Sequence, residues 1–321
     1  MIQPISYTLT LTAEFQGKRL DATVSQLLKQ YSRNLIKQWI LEGKLLLNGK
    51  AAKPKDPVSE NDEIIIEATL ESQISNPAQS LPLEIVFEDE QLLVINKPPG
   101  LVVHPGAGNQ DHTLLNALLH YDPALEYLPR AGIVHRLDKE TSGLMVIAKT
   151  LETHTYLIDL MQHHEVKRTY EAVIWGPCIS GATIDAPMGR HPKQRIRMAV
   201  VNGGKPAVTH FRLIERFREH THVRVMLETG RTHQIRVHMA HIRHPVVGDP
   251  VYGGRFKLPP KATEELIAEL RGFKRQALHA AELTLEHPIT HEQMTWKAPL
   301  PQDIQNLLIC LKSDTTKNAS K

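Results

Sequence analysis

Short apolar runs alternate with longer amphipathic stretches over most of the chain. Runs of four to seven apolar residues bounded by turn residues predict buried or half-buried strands. Stretches with apolar residues at helical spacing predict helices between them. The predicted strands are 83–87, 92–96, 144–149, 170–175, 208–214, 223–228 and 283–286, and the predicted helices are 113–121, 151–163, 232–242 and 263–272. Strand runs with scattered helices predict an α+β fold with a mostly antiparallel mixed sheet.

The first 70 residues follow a different pattern. Residues 19–28 are amphipathic, and a second apolar stripe at helical spacing follows Ser32, which is a suitable helix N-cap. Short strands joined by Asn48-Gly49 come next, because Asn-Gly favours a tight hairpin turn. The predicted division is therefore a small α/β module over 1–70, a polar linker over 71–81, a large domain over 82–311 and a disordered tail over 312–321.

Composition places the chain among ordinary globular proteins. It has 321 residues, 41% hydrophobic and 23% charged, and no apolar run approaches the roughly 20 residues of a membrane span. The first residues do not have the pattern of a secretory signal. Two cysteines, Cys178 and Cys310, are too few for a disulfide scaffold or a Cys-rich zinc site. A cytoplasmic protein that does not associate with membranes is expected.

Positive charge is concentrated in one part of the chain, although the net charge is only +3. Residues 186–243 contain 12 Lys and Arg against 3 Asp and Glu, with seven His. Such a bias can be an ordinary solvated face. Its concentration in one segment is more typical of a surface that binds a polyanion.

The run from Gly132 to Gly143 carries the candidate chemistry. Asp138 lies between Arg136 and Lys139, a turn is predicted at 141–143, and the apolar strand follows. A carboxylate at the mouth of a buried strand, flanked by positive charge, should stay ionised and reachable, as a carboxylate nucleophile requires. The structural alternative is a solvated loop or an Asx turn that caps the next element.

These residues and four other strings of the large domain resemble the RluA-type family of RNA pseudouridine synthases, in which the Asp of His-Arg-Leu-Asp is catalytic. His135-Arg136-Leu137-Asp138 is similar to that signature. The other strings lie in the family's order and cover nearly the whole large domain. They are Ile95-Asn96-Lys97-Pro98-Pro99-Gly100, Lys167-Arg168-Thr169-Tyr170-Glu171-Ala172, Gly230-Arg231-Thr232-His233-Gln234-Ile235-Arg236 and His244-Pro245-Val246-Val247-Gly248-Asp249-Pro250-Val251-Tyr252-Gly253.

The N-terminal module resembles the S4 RNA-binding domain. Its matching positions are Arg19-Leu20-Asp21, Ser32-Arg33, Ile40 with Gly43, Asn48-Gly49 and Asp62 with Ile64. Asn61 stands where the family usually has Gly, which is a minor departure because Asn tolerates positive φ. The resemblance makes Arg19, Ser32, Arg33, Lys37 and Lys44 candidate RNA contacts. A helical pair with ordinary surface charges is the alternative, since residues 1–70 have 9 basic and 8 acidic residues.

The resemblance implies an isomerase that converts uridine to pseudouridine in RNA without a cofactor. The sequence has neither a Gly-x-Gly-x-x-Gly after a strand nor a phosphate-binding Gly-Lys-Ser/Thr loop. Within the family, the combination of strings is most similar to the branch that acts on a stem-loop (helix 69 type) of large-subunit (23S) ribosomal RNA. The implied partner is that RNA or its assembling particle, and a monomer is expected.

The resemblance also implies roles for particular residues. Asp138 would act on the nucleoside, at C1′, at C6 or by deprotonating C2′. Arg236, in the first turn of a predicted helix, would pair with Asp138, with Arg231 as the rival. Tyr170 would stack on the base and help to remove the C5 proton, above a floor formed by Ile235. Arg136 would enter the space that a flipped uridine vacates.

Two other functions compete with this hypothesis. A non-catalytic RNA-binding or ribosome-assembly factor could use the same fold, but it would not need Asp138, Tyr170 and Arg236 together. A metal-dependent hydrolase could use the histidines, but His-Glu-x-x-His is absent and no carboxylate accompanies His238 and His241 on their turn. The histidines considered for this site are His220, His222, His233, His238, His241 and His244.

Overall fold

The computed structural model describes residues 3–70, 76–106, 108–194 and 197–319. The N-terminal module pairs four strands in the order β1-β4-β2-β3 among these residues, with two helices packed beside them. Its elements are β1 (Gln3–Thr10), α1 (Leu20–Leu27), α2 (Arg33–Leu41), β2 (Leu45–Leu47), β3 (Lys50–Ala51) and β4 (Glu63–Leu70). Residues 71–75 of the predicted linker lie outside the described residues, and Pro77 and Gln79 of its remainder contact Asn116.

Local sequence signals explain the ends of these elements. The Ser32 hydroxyl accepts a hydrogen bond from the Leu35 amide, so it caps α2 as predicted. Asn48 and Gly49 have φ of 51° and 71°, which is the geometry of a type I′ hairpin turn. Asn61 has φ of 66°, a conformation that Asn adopts more readily than most residues. The β1 strand, which pairs with β4, was not predicted.

Asp21 joins the two helices of the module electrostatically. Its buried carboxylate accepts two hydrogen bonds from Arg19 and one from Arg33, the latter at 2.8 Å. The hydrogen bonds from Arg19, followed by those from Arg33, lower the pKa of Asp21 to about 2, although burial opposes them. The charged carboxylate therefore stabilises the folded module.

Replacing Asp21 by Asn should lower the free energy of unfolding by about 1–2 kcal/mol at pH 7, because both arginines are largely exposed and solvent screens the pairs. A depressed folded-state pKa gives stability that is complete above the ordinary Asp pKa and lost as the pH falls through about 2. Urea unfolding followed by fluorescence, to which buried Trp39 contributes, should show a smaller difference at pH 3 than at pH 7. The exposed control Glu60→Gln should unfold like the parent at both values, and an Asp21→Asn difference independent of pH would contradict the account.

The large domain is built on one mixed sheet. Nine strands of the described residues run in the order β5-β6-β7-β14-β8-β13-β12-β9, with β15 added beside β14. Among the described pairs in this sheet, β7 with β14 is parallel and the others are antiparallel, in agreement with the predicted α+β class. The strands are β5 (Ile85–Glu88), β6 (Leu92–Lys97), β7 (Ser142–Ala148), β8 (Lys167–Trp175), β9 (Ala182–Asp185), β12 (Val208–Arg216), β13 (His220–Leu227), β14 (Leu278–Glu286) and β15 (Gln293–Lys297), and β10 (Met188–Arg190) pairs separately with β11 (Met198–Val200).

Helices cover both faces of this sheet, so its central strands are apolar throughout. Leu93 and Ile95 of β6 belong to the core on one face, whereas Leu92 and Val94 belong to the core on the other. Alternate side chains of a strand point to opposite faces, which explains why these runs do not alternate with polar residues. The helices are α3 (Leu114–Tyr121), α4 (Leu151–Gln162), α5 (Gln234–His241), α6 (Glu264–Gly272) and α7 (Gln302–Ala319). None of the helices in the described part of the chain is both long and apolar enough to span a membrane.

The C-terminal prediction was wrong for residues 312–319, because α7 continues to Ala319 through this part of the expected disordered tail. Asp314 is buried in this helix, accepts a 2.9 Å hydrogen bond from Arg218 and accepts another from the Thr263 amide. Leu311 is buried in the same core as the sheet. These tertiary contacts stabilise a helix whose polar sequence gives no strong local signal.

Candidate active site

Asp138 lies in a cavity of about 860 Å³ beside the central sheet. Asp138 is its acidic lining residue, and five arginines share the lining among the described residues. These arginines are Arg130, Arg136, Arg168, Arg231 and Arg236. A single carboxylate in a strongly cationic cavity suits an anionic ligand that reacts with the carboxylate.

Hydrogen bonds to three successive backbone carbonyls hold the turn that begins at Asp138. The Thr141 amide donates to the Asp138 carbonyl at 3.0 Å, which closes a turn over 138–141. The buried Lys97 ammonium donates to the Lys139 carbonyl, and Arg275 donates to the Glu140 carbonyl. The turn was predicted at 141–143, but it lies over 138–141, and Ser142 already begins β7.

Two glycines let the backbone approach closely around this turn. A Cβ on Gly143 would lie 2.3 Å from the Ala280 carbonyl oxygen of β14, and one on Gly132 would lie 2.0 Å from that of Ala148. Both distances are impossible for a real side chain, and both residues have positive φ. Gly132 and Gly143 thus let the backbone at both ends of the run from 132 to 143 pack directly against neighbouring strands.

Arg236 connects Asp138 to a second, fully buried carboxylate. Its Nη1 donates to Asp138 Oδ2 at 2.9 Å, while Nε and Nη2 donate to both oxygens of Asp249 at 2.6 and 2.9 Å. Burial disfavours the charge on Arg236, but Asp249 and then Asp138 outweigh it and raise its pKa. Asp249 is itself fixed by the Val251 and Tyr252 amides. The guanidinium is therefore a permanent, immobile partner of Asp138.

The loop before α5 is fixed by the side chain of Gln234. Its carbonyl oxygen accepts from the Arg231 amide and the Thr229 hydroxyl, and its amide nitrogen donates to the Val208 carbonyl on β12. A Cβ on Gly230 would lie 2.8 Å from Arg168 Nη1, so this glycine leaves room for the arginine. The helix starts at Gln234, two residues later than predicted, with Arg236 in its first turn.

Tyr170 and Ile235 line the same cavity as Asp138 and belong to the same core. Tyr170 is only 6% exposed, so nearly all of its surface is buried. Burial raises the pKa of Tyr170, Arg168 lowers it and Asp138 raises it again. The phenol therefore carries its proton at neutral pH.

Other residues in or near the cavity have different surroundings. Arg136 is exposed at the cavity, whereas Arg231 donates to the Pro206 carbonyl at 3.2 Å and is not paired with Asp138. His104 lines the cavity, and burial followed by Arg130 and Arg136 lowers its pKa to about 4. Lys97 does not line the cavity, because its ammonium donates to three backbone carbonyls.

The predicted RNA contacts of the N-terminal module are partly engaged within the protein. Arg19 and Arg33 bind Asp21, although their side chains stay 46% and 51% exposed. Ser32 caps α2, and Lys44 pairs with Glu42 at 2.8 Å. Lys37 is exposed on α2. The cationic surface of the module therefore depends on the solvent-facing sides of paired arginines and on Lys37.

The histidines are dispersed rather than gathered at one point. No group of three or more His, Cys, Asp and Glu side chains that could hold a metal ion occurs in the described ranges. His238 contacts Thr209 and the Ala186 carbonyl, and His244 contacts the Trp175 carbonyl. His222 pairs with Glu171 at 2.8 Å.

Four polar residues of the site were given no part in the proposed chemistry by the sequence analysis, which considered His233 only for a metal site. Asp249 clamps Arg236, Tyr252 packs on the same guanidinium, Arg168 lines the cavity and His233 lies beside Asp138. All four lie in the strings that resemble family motifs, and this position was the only sequence signal for their roles. Their roles depend on contacts between segments far apart in the chain.

Comparison with known proteins identifies both parts of the chain. Residues 91–241 match the family model described as RNA pseudouridylate synthase, and residues 18–64 match that of the S4 domain. Two similar solved structures are human RNA pseudouridylate synthase domain containing 4 and domain containing 1. The first has a TM-score of 0.57 and 26% identity, covering 71% of this chain and 93% of the other. The second has a TM-score of 0.53 and 25% identity, covering 74% and 98%.

Two curated relatives are similar over nearly their whole length. Ribosomal large subunit pseudouridine synthase D of Pseudomonas aeruginosa is 56% identical over 301 residues, which is 94% of each chain. The protein of the same name from Escherichia coli (strain K12) is 53% identical over 315 residues, covering 98% of this chain and 97% of the other.

Proposed function

The chain belongs to the RNA pseudouridylate synthase family, and from this premise we propose that it isomerises specific uridines of large-subunit ribosomal RNA, with Asp138 acting on the nucleoside. The observation that carries this proposal is the position of Asp138. One of its oxygens is held by Arg236 at 2.9 Å, inside a cavity otherwise rich in arginine. The relatives named for the large ribosomal subunit support the choice of RNA.

The reaction needs one well-placed carboxylate and no change of oxidation state. The N1–C1′ bond breaks, the uracil turns, and a C5–C1′ bond forms. The proton that leaves C5 is balanced by the proton that N1 gains. Asp138 could begin this sequence by attacking C1′, by attacking C6 or by removing a proton from C2′, and all three routes need an ionised carboxylate. Arg236 fixes the direction of the carboxylate through its hydrogen bond to Oδ2.

The dimensions and charge of the cavity suit an extruded nucleotide. Its volume of about 860 Å³ lies in the roughly 300–1,000 Å³ range of small-ligand sites. A uridine in a stem must leave its stack, at a cost of a few kcal/mol, before it reaches such a site. Arg136 is exposed two residues before Asp138, where it can fill the gap in the stem. A stem-loop of the helix 69 type is the substrate that we propose.

The N-terminal module would hold the RNA beside this cavity. Residues 18–64 match the S4 domain, and Thr155 Oγ1 at the start of α4 donates to the Gln30 carbonyl at 3.4 Å. Tyr127 and Leu151 also pack against the module's core. We assign residues 1–70 to RNA binding, through Lys37 and the exposed sides of Arg19 and Arg33, and residues 82–311 with their α7 extension to catalysis.

Tyr170→Phe should slow pseudouridine formation by about 100-fold or more, because the ring can still stack while the phenol can no longer take part in moving the C5 proton. Tritium release from C5 measures the impaired step directly, and nucleoside chromatography of digested RNA should show the same loss of pseudouridine. Tyr156→Phe removes a phenol that donates to Glu286 and does not line the cavity, so it should behave like the parent. Normal turnover by Tyr170→Phe would remove the proton-transfer role.

Tritium release from purified RNA tests the proposal as a whole. Protein incubated with C5-tritiated large-subunit ribosomal RNA should release a small, fixed number of tritium equivalents per molecule. Small-subunit ribosomal RNA should release none. Binding of the large-subunit RNA without any release would instead favour the non-catalytic assembly factor.

A further inference from the structure

The two oxygens of Asp138 face different neighbours. Oδ2 accepts the hydrogen bond from Arg236, whereas Oδ1 lies 3.8 Å from Nε2 of His233. That separation is within the range of an electrostatic contact but too long for a hydrogen bond. The contact with His233 therefore leaves the lone pairs of Oδ1 available to a substrate.

Tyr252 contacts the ring nitrogen of His233 that faces away from Asp138. The Tyr252 hydroxyl oxygen accepts from the Met198 amide at 2.9 Å and lies 2.8 Å from His233 Nδ1. While its oxygen accepts from Met198, the Tyr252 hydroxyl has its own proton available to donate to Nδ1. In that arrangement a neutral His233 carries its proton on Nε2, which faces Asp138.

Burial favours the neutral form of the His233 ring. Burial lowers its pKa, and Arg236 and Arg136 act in the same direction, while Asp138 and Asp249 oppose them. The His233 ring meets the Tyr252 ring edge-on, with centroids 5.6 Å apart, and Tyr252 also packs on Arg236. One tyrosine thus supports both partners of Asp138.

Helix formation does not explain a histidine at this position. His233 precedes α5 with φ of 58° and ψ of 21°, and its side chain caps no backbone amide. Asn is far better suited to this left-handed conformation and to the N-cap position. The choice of His is therefore accounted for by its ring contacts rather than by the backbone.

We propose that His233 is a positioning residue for Asp138: its Nε2–H orients Oδ1 toward the nucleoside, and Tyr252 holds the His233 ring in the tautomer that does so. The proposal rests on the assignment of Asp138 above. Arg236 restrains Oδ2, His233 steadies Oδ1, and the carboxylate presents a single oxygen to the substrate.

Two substitutions of His233 distinguish this role from a structural one. The amide nitrogen of Gln can occupy the place of Nε2, whereas the shorter Asn reaches only the place of Nδ1. We expect His233→Asn to reduce the single-turnover rate by roughly 10-fold, the effect of losing a net contribution of about 1.4 kcal/mol, and His233→Gln to reduce it less. Both should bind the RNA with unchanged Kd. If His233 served only the backbone, Asn would be the milder replacement, and that order would overturn the proposal.

The tautomer can be measured without substrate. In ¹⁵N NMR of the full chain, the imidazole signals lost in His233→Gln identify His233, and they should show a protonated Nε2 and an unprotonated Nδ1. Tyr252→Phe removes only the hydroxyl and should shift this pattern. A protonated Nδ1 in the parent protein would also overturn the proposal. Activity in an Asp138→Asn variant would instead contradict the assignment of Asp138 itself, so the two failures are distinguishable.

Discussion

Asp138→Asn is expected to reduce pseudouridine formation by at least about four orders of magnitude, because it removes the acidic group of the cavity that can act on the nucleoside. Asn has nearly the same shape as Asp, so the turn over 138–141 and its backbone hydrogen bonds should persist. The neutral amide is not a nucleophile or a base. Single-turnover tritium release from C5 of the RNA measures the effect.

RNA binding separates a chemical defect from a structural one in this variant. Asp138→Asn should bind the substrate RNA with a Kd within a few-fold of the parent. Lys139→Gln changes an exposed neighbour that does not line the cavity, and it should retain the parental rate. A fully active Asp138→Asn protein would exclude Asp138 as the catalytic group.

Arg236→Ala should have the second largest effect, because it leaves two carboxylates without their shared partner. Asp249 has no exposed side-chain surface, so its charge would remain buried and unpaired. We expect a rate loss of about 10²–10³-fold from the loss of a fixed positive charge beside Asp138, and destabilisation of about 3–5 kcal/mol. Single-turnover kinetics and urea unfolding measure the two effects separately.

A milder variant keeps this prediction testable if Arg236→Ala fails to fold. Arg236→Lys retains the charge but cannot donate to Asp138 and to both oxygens of Asp249 at once. It should fold, bind RNA and still lose a large part of the rate. Arg231→Ala should weaken RNA binding with little effect on the chemical step, since Arg231 contacts a backbone carbonyl rather than Asp138. Loss of chemistry in Arg231→Ala but not in Arg236→Ala would reverse the assignment.

Local patterns predicted most of the fold because the main elements are strongly apolar. The run that forms β7 is buried at every position, so its identity did not depend on its neighbours. The edge strand β9 and the hairpin of β10 and β11 are short and partly exposed, and their sequences lack a clear period. The end of α7 is ordered through Asp314, whose partners Arg218 and Thr263 are distant in sequence.

The same distinction applies to the site: some of its residues could be predicted from local motifs, and others depend on contacts between distant segments. Asp138, Tyr170 and Arg236 were proposed because each stands in a string that resembles a family motif. The sequence also favoured Arg236 over Arg231, and the structure places Arg236 against Asp138. Other features depend on groups that meet only after folding. They are the hydrogen bonds from Arg236 to Asp249, those from Lys97 to backbone carbonyls, and the contact of His233 with Tyr252. No spacing in the sequence specifies such contacts.

Pseudouridine mapping tests the central claim most directly. Ribosomal RNA would be mapped in cells that lack this protein and in the same cells given either the parent or Asp138→Asn. We predict that particular pseudouridines of the large-subunit RNA disappear in its absence, return with the parent and stay absent with Asp138→Asn, while small-subunit pseudouridines do not change. An unchanged large-subunit map in cells without the protein, or restoration by Asp138→Asn, would contradict the account.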